Sequence, residues 1–177
     1  MRRFHVVSVL WCLILTPGNA LAQGKGAVEL GFDGGLTYSA YSGADDRLSL
    51  DLPIQSVRAG FYLSDKVEVE SSLRMLVTRI DQNTTDSFDW GIGLLVHLAD
   101  DPKRATPFLL GGVEWSRLDR GFNDATETLR AAFGYKLPVG DQWGVRLQLE
   151  GRHIEESAFV RGYWEFGPRF GISVFTK

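Results

Sequence analysis

Five residues are of the types that could support catalysis or metal binding. His153, Glu155, Glu156 and Ser157 lie in one short segment, and a serine, a histidine and an acid can activate a nucleophile where their side chains converge. The segment falls at the end of a predicted strand, so charged residues at a loop edge explain the same pattern. His97 stands alone on the polar face of another strand, and the sequence has no His-x-x-x-His pair and no His/Cys cluster. We therefore expect no enzymatic activity, no metal and no cofactor.

Charged residues at alternate positions are the second candidate, because this spacing gathers them on one face of a sheet. Glu68 and Glu70, for example, alternate with Val67 and Val69, and a period of two indicates strands with one polar and one apolar face. If the apolar face points outward, acids and bases of nearly equal number line a closed interior, as buried charge requires. The acids in this predicted lumen network are Glu29, Asp33, Glu68, Glu70, Asp89, Glu114, Glu150 and Glu165, and the bases are Arg58, Arg74, Arg130, Lys136, Arg146, Arg152 and Arg169.

The alternation continues through eight runs that are separated by turn residues. The predicted strands are 26–39, 47–62, 67–80, 86–99, 106–119, 125–138, 142–155 and 163–175. Every connection is too short for a crossover helix, so consecutive strands must pair antiparallel as an up-and-down meander. The fold class is therefore all-β, and strands of about 13 residues are long enough to form a barrel that crosses a bilayer.

One predicted strand, 47–62, changes phase. Leu48 belongs to an apolar series at even positions, Val57 begins a series at odd positions, and Pro53 lies between them. Proline inside a sheet is confined to edges, strand starts and bulges. Either a bulge between Pro53 and Val57 restores the facing, or residues 47–54 form a ribbon beyond the membrane.

The first 22 residues have the layout of a secretory signal peptide. Arg2 and Arg3 precede an apolar run, and Ala20-Leu21-Ala22 offers a cleavage site. The apolar run is about half as long as a helical membrane span requires. We predict a signal peptide at 1–22 and a single barrel domain at 23–177.

Composition narrows the classes of partner. The 177-residue chain has a formal net charge of -3 and one cysteine. A mildly acidic chain lacks the broad basic surface of a nucleic-acid binder, and one cysteine permits no intramolecular disulfide framework. With 44% hydrophobic residues, the chain is also too apolar to be disordered.

The direction of the apolar face separates a membrane barrel from a soluble one. A periplasmic lipocalin-like barrel would enclose a small apolar ligand with its apolar residues, whereas a membrane barrel turns them toward lipid. Aromatic residues favour the membrane barrel, because many lie near strand ends and a narrow interior could hardly hold them together with a ligand. Those on the apolar face are Phe32, Tyr38, Phe61, Phe88, Trp90, Trp115, Phe133, Tyr135, Trp143, Trp164, Phe166 and Phe170.

Two hairpins carry a family resemblance. Residues 59–70 and 133–153, with Asp65 and Asp141 at their turns, resemble strand–turn–strand units of the OmpA-type small eight-stranded outer-membrane β-barrel family. The resemblance implies the bacterial cell outer membrane as location. An even number of strands puts both termini on one side, and a cleaved, exported N-terminus makes that side the periplasm. The expected partners are outer-membrane lipid, lipopolysaccharide and the outer-membrane assembly machinery, and the expected state is a monomer.

The expected function is that of a small integral outer-membrane protein with a structural or surface-interaction role. Eight strands leave an interior just wide enough for side chains, so the charged residues should plug the lumen and disfavour a pore. A lipid-modifying outer-membrane enzyme is disfavoured because the segment after His153 lacks a His-x-Ser-Asn signature. The predicted extracellular loops, at about 40–46, 81–85, 120–124 and 156–162, are short and identify no ligand.

Overall fold

A computed structural model describes residues 24–41, 47–80, 83–99, 105–119, 125–156 and 162–176. Its strands are β1 (Val28–Tyr41), β2 (Arg47–Tyr62), β3 (Val67–Ile80), β4 (Asn83–His97), β5 (Thr106–Asp119), β6 (Ala125–Pro138), β7 (Trp143–Ile154) and β8 (Tyr163–Thr176). The predicted signal peptide lies outside the described residues, so the domain boundary at residue 23 stays a prediction.

The eight strands form one closed antiparallel barrel in chain order. Closure is made by β1 and β8, where Val28 lies opposite Thr176 and Tyr41 lies opposite Tyr163. This pairing satisfies the backbone of the first and last strands, so neither is a free edge. We call the end of the barrel where β1 begins and β8 ends the terminal end, and the opposite end the loop end. No described segment is a helix of the length and apolarity that a membrane span needs.

The predicted strands are confirmed, and their ends differ from the predictions by at most three residues. The largest difference is in β4, which begins at Asn83 rather than at residue 86. Asn83, Thr84 and Thr85 continue the backbone ladder with the last three residues of β3. The connection predicted at 81–85 is therefore shorter than expected.

The phase change in β2 coincides with a break in its pairing to β1. Asp33 pairs with Ser56, but Gly35 pairs with Asp51, so β2 contains extra residues over this stretch. Pro53 lies among them, where it does not interrupt a regular ladder. This irregularity corresponds to the predicted bulge.

Apolar side chains cover the outside of the barrel. In β7, Arg146, Gln148 and Glu150 are buried, whereas Leu147 and Leu149 are 46% and 65% exposed. Apolar side chains also face outward on both sides of the β2 bulge and on the other strands. Exposed residues include Phe32, Tyr38, Leu48, Val57, Phe61, Phe88, Trp90, Leu94, Phe133, Tyr135, Trp143, Trp164, Phe166, Phe170 and Ile172, while Trp115 is half-buried. A barrel that encloses an apolar ligand is incompatible with this facing.

The interior is not filled by charged side chains alone. Two buried apolar clusters lie toward the terminal end: Leu95, Phe108, Leu110 and Ala132 in one, and Ala27, Tyr62 and Phe175 in the other. Apolar groups need no hydrogen-bond partner when they are buried, so they fill this end without the cost that an unpaired charge would carry. The expectation of a lumen plugged by charges is therefore incomplete for this part of the barrel.

Candidate functional site

Every strand contributes charged side chains to the interior, because alternate residues of each strand point inward. The almost fully buried ones are Glu29, Asp33, Arg58, Glu68, Glu70, Asp89, Glu114, Arg130, Lys136, Arg146, Glu150, Arg152 and Arg169. Arg74 and Glu165 lie nearer the loop end, and their side chains are 17% and 13% exposed. All fifteen residues of the predicted network thus lie on the inner side of the barrel.

An inner group of charges lies toward the terminal end and comprises Glu29, Asp33, Glu68, Glu70, Arg58, Lys136 and Arg146. The Arg58 guanidinium donates hydrogen bonds to Asp33 Oδ2 at 2.8 Å, to Ser173 Oγ at 2.6 Å and to Glu29. Ser173 in turn donates to Glu29 Oε1 at 2.7 Å. Arg58 therefore links β1, β2 and β8 next to the seam where the barrel closes.

One ammonium group in the inner group serves two carboxylates. Lys136 on β6 donates to Glu68 Oε2 at 2.6 Å, to Glu29 and to the Tyr62 hydroxyl at 3.2 Å. These partners come from β3, β1 and β2, so the lysine reaches across the interior. Charge-assisted hydrogen bonds of this kind are stronger than neutral ones.

Glu70 connects the inner charges to those farther along the barrel. Its carboxylate accepts hydrogen bonds from Arg146 and, at 3.1 Å, from Arg130 Nη2, and Arg58 Nη1 lies 3.9 Å away. Arg130 Nη1 also lies 3.3 Å from Glu114 Oε1. The network is therefore continuous along the barrel axis.

An outer group toward the loop end comprises Asp89, Glu114, Glu150, Glu165, Arg74, Arg130, Arg152 and Arg169. Arg152 pairs with Glu114 and donates to Glu165 Oε2 at 2.8 Å. Arg169 Nε lies 2.6 Å from Glu150 Oε1. Arg74 and Asp89 are more loosely paired, at 3.6 Å. The outer group holds four acids and four bases, of which Arg130 is shared with Glu70 of the inner group.

Little free volume remains between these side chains. A polar cavity of about 20 Å³ is lined by outer-group residues with Asp33, Ser56, Glu70, Ser72, Arg146 and Gln148, which is room for one water molecule. The guanidinium of Arg146, which also lines this cavity, lies 4.7 Å from the centre of the Phe108 ring. Charged and apolar side chains together fill the described interior, which suits the narrow bore of an eight-stranded barrel.

Several interior residues were not among the predicted site residues, and some of them are aromatic. Tyr62, His97 and Phe108 are at most 2% exposed, and each shares the inward parity of a charged residue on its own strand. The sequence could therefore have placed Phe108 inside the barrel, because it lies an even number of residues from Glu114 on β5 and so faces the same way. Nothing in the sequence indicated that His97 stacks on Tyr62, with ring centroids 5.4 Å apart.

The segment that suggested a hydrolase does not gather into a site among the described residues. The His153 ring lies on the outer side and stacks on Trp164, with centroids 4.5 Å apart. Glu155 and Glu156 are exposed, and Ser157 lies outside the described residues. No three histidine, cysteine, aspartate or glutamate side chains within the described ranges are placed to share a metal ion.

Aromatic residues mark the two edges of the apolar exterior. Trp143 begins β7 at the terminal end, and ten residues later His153 stacks with Trp164. Trp90 and Trp115 also stack, 5.0 Å apart. At ~3.3 Å per residue and a tilt of ~40°, ten residues span a band about 25 Å tall.

A closed barrel with an apolar exterior, aromatic borders and an ion-paired interior is the arrangement of a transmembrane β-barrel. The chain belongs to the outer membrane protein beta-barrel domain family, whose sequence model matches residues 8–167. This membership supports a location in the bacterial outer membrane.

Solved structures share the fold at low sequence identity. Neisserial surface protein A matches with a TM-score of 0.61 and 15% identity over 85% of this chain and 99% of that one. The N-terminal β-barrel domain of Pseudomonas aeruginosa OprF gives 0.58 and 16% over 87% and 100%, and the attachment invasion locus protein Ail of Yersinia pestis gives 0.53 and 7% over 86% and 99%. No curated protein matches the chain in sequence. At these identities the likeness concerns the fold alone.

Proposed function

We propose that this protein is a small integral outer-membrane barrel with a structural or surface-interaction role, no enzymatic activity and an interior closed to diffusion. The observation that carries the proposal is the filled interior, in which the fifteen network charges and two apolar clusters occupy the bore. Transport through the barrel would require a continuous water-filled passage, and the polar cavity among the interior charges has a volume of about 20 Å³.

The orientation proposed is with both termini in the periplasm. An even number of strands brings β1 and β8 to the same end, and an exported chain with a cleaved leader begins on the periplasmic side. The exposed apolar band is the surface that would contact outer-membrane lipid. Lipopolysaccharide and the assembly machinery are the further partners proposed, and the proposed state of the barrel is a monomer.

Membrane fractionation tests the location and the closed fold. We expect the mature protein in the outer-membrane fraction, with unheated protein migrating differently from heated protein in detergent gels, because a closed barrel resists detergent. A periplasmic protein of known location serves as the fractionation control. Recovery of this protein with that control would contradict the proposal.

A planar bilayer recording tests the closed interior. The unmodified protein should give at most a small, unselective conductance, since side chains fill the bore. A large and steady conductance would favour a pore and contradict an interior that is filled by side chains. Protein-free detergent addition gives the baseline.

A further inference from the structure

The inner and outer groups differ in their charge balance. The outer group holds four acids and four bases, whereas the described inner group holds the four acids Glu29, Asp33, Glu68 and Glu70 against three bases. Each base is already engaged, and Lys136 is shared by two carboxylates. Glu70 also accepts a hydrogen bond from Arg130 of the outer group, so the surplus belongs to the described network as a whole. Its eight acids exceed its seven permanently charged bases by one, inside a confined space where an unbalanced charge is costly.

His97 is the titratable cation next to this surplus. Its side chain is fully buried, and Nε2 lies 3.5 Å from Glu68 Oε2, whose side chain is also fully buried. Within the described residues, both ring nitrogens of His97 and Glu68 Oε1 have no hydrogen-bond partner. The backbone N–H of His97 donates to the Lys66 carbonyl at 2.8 Å, which fixes the residue beside the start of β3.

Neutral rings and charges of both signs face this pair from the neighbouring elements. Tyr62 of β2 stacks on the imidazole, and Phe108 of β5 lies opposite His97 in the ladder. From across the interior comes Lys136 of β6, which contacts both Glu68 and Glu29. Arg58 is bound to Glu29 and Asp33, and Arg146 is bound to Glu70. Among the described ion pairs, Lys136 is the permanent cation that contacts Glu68, and it is shared with Glu29, so a second cation beside Glu68 would be attracted.

We infer that His97 and Glu68 form a proton-binding site, at which the barrel takes up one proton from water as the pH falls. The proton binds the imidazole Nε2, which then donates a charge-assisted hydrogen bond to Glu68 Oε2. The proton leaves a hydronium ion of the solvent, whose O–H bond breaks as the N–H bond forms, and no other covalent bond changes. Histidine is the side chain whose charge ordinarily changes between pH 5 and 8, so uptake would balance the one surplus negative charge of the described network in mild acid and stabilise the terminal end of the barrel.

Nuclear magnetic resonance of the imidazole nitrogens in the folded protein tests the inference directly. We expect the His97 ring to become charged between pH 8 and 5.5, with an Nε2 shift typical of a donor to a carboxylate, and His153 on the outer face serves as the internal reference. A His97 ring that stays neutral throughout, as it would if a buried water alone joined it to Glu68, would overturn the inference.

The pH dependence of stability is an independent readout. The unfolding equilibrium constant of the unmodified protein should fall about tenfold between pH 8 and 5.5, as expected for a gained charge-assisted hydrogen bond. His97→Gln should abolish most of this change, whereas His153→Gln should retain it. Equal pH dependence in the unmodified protein and His97→Gln would show that the proton binds elsewhere.

A third variant tests the partner. In Glu68→Gln the charging of His97 should move to lower pH by at least about one unit, because its attracting carboxylate is gone. An unchanged titration would exclude Glu68 as the partner. If Glu68→Gln does not fold, the titration of His97 in the unmodified protein still decides the inference. The titration is also independent of the bilayer conductance, which tests the filled interior.

Discussion

The pair formed by Glu150 and Arg169 tests whether interior ion pairs hold the barrel together. Arg169 Nε lies 2.6 Å from Glu150 Oε1, and the two side chains are 9% and 6% exposed. Gln148 donates to the other carboxylate oxygen at 3.0 Å. At an effective dielectric constant of about 20, unit charges at this separation attract by ~6 kcal/mol, while removing each ion from water costs several kcal/mol. In the intact pair, the attraction offsets the cost of removing both ions from water. When one ion is removed, this attraction is lost, while the desolvation cost of the other ion remains.

Glu150→Gln should therefore lower the free energy of unfolding by ~3–5 kcal/mol, and Arg169→Gln should have a similar effect. The double variant should lose ~2 kcal/mol less than the sum of the two single losses, because neither charge then remains to be compensated. Urea unfolding in lipid vesicles, followed by tryptophan fluorescence, measures all three variants.

Asp141→Asn is the matched control for this cycle. Asp141 is exposed in the turn between β6 and β7, so removing its charge should change the free energy of unfolding by less than about 0.5 kcal/mol. Single losses below ~1 kcal/mol, or losses that simply add in the double variant, would refute the reasoning.

Three further changes can be measured by the same unfolding assay. Leu147→Arg on the outer face should lower the free energy of unfolding by ~2–4 kcal/mol, whereas Leu98→Arg, just beyond β4 at the terminal end, should lower it by ~0–1 kcal/mol. The difference is expected because the penalty for a charge depends on its depth in the bilayer. Equal losses would contradict the proposed membrane band. Gly112→Ala should lower the free energy of unfolding by ~1–3 kcal/mol, since its new Cβ would lie 2.6 Å from a backbone carbonyl oxygen of β4. Gly111→Ala, with open space around the new Cβ, should be nearly neutral. A larger loss for Gly111→Ala than for Gly112→Ala would contradict this packing of β5 against β4. Phe108→Ala should cost ~3–5 kcal/mol by opening a cavity in the buried apolar cluster, and a loss under ~1 kcal/mol would mean that this cluster does not support the barrel.

The sequence by itself determined the strands, their order and their two faces. The period of two in β7 separates Arg146 and Glu150 from Leu147 and Leu149, and short connections leave consecutive strands no arrangement except antiparallel neighbours. An apolar set rich in aromatic residues then favours outward facing toward lipid. The phase change at Pro53 was also visible in the sequence, and the pairing of β1 with β2 shows a break there. The described ladder between β2 and β3 begins only at Ser56.

Only the tertiary structure decided which interior side chains meet. Lys136 pairs with Glu29 across 107 positions of the chain, and Arg58 reaches Ser173 across 115. His97, isolated in the sequence, lies against Glu68. A period of two determines only whether a side chain points in or out. Its depth and its neighbours across the bore depend on the tilt and stagger of all eight strands, which are set when the barrel closes.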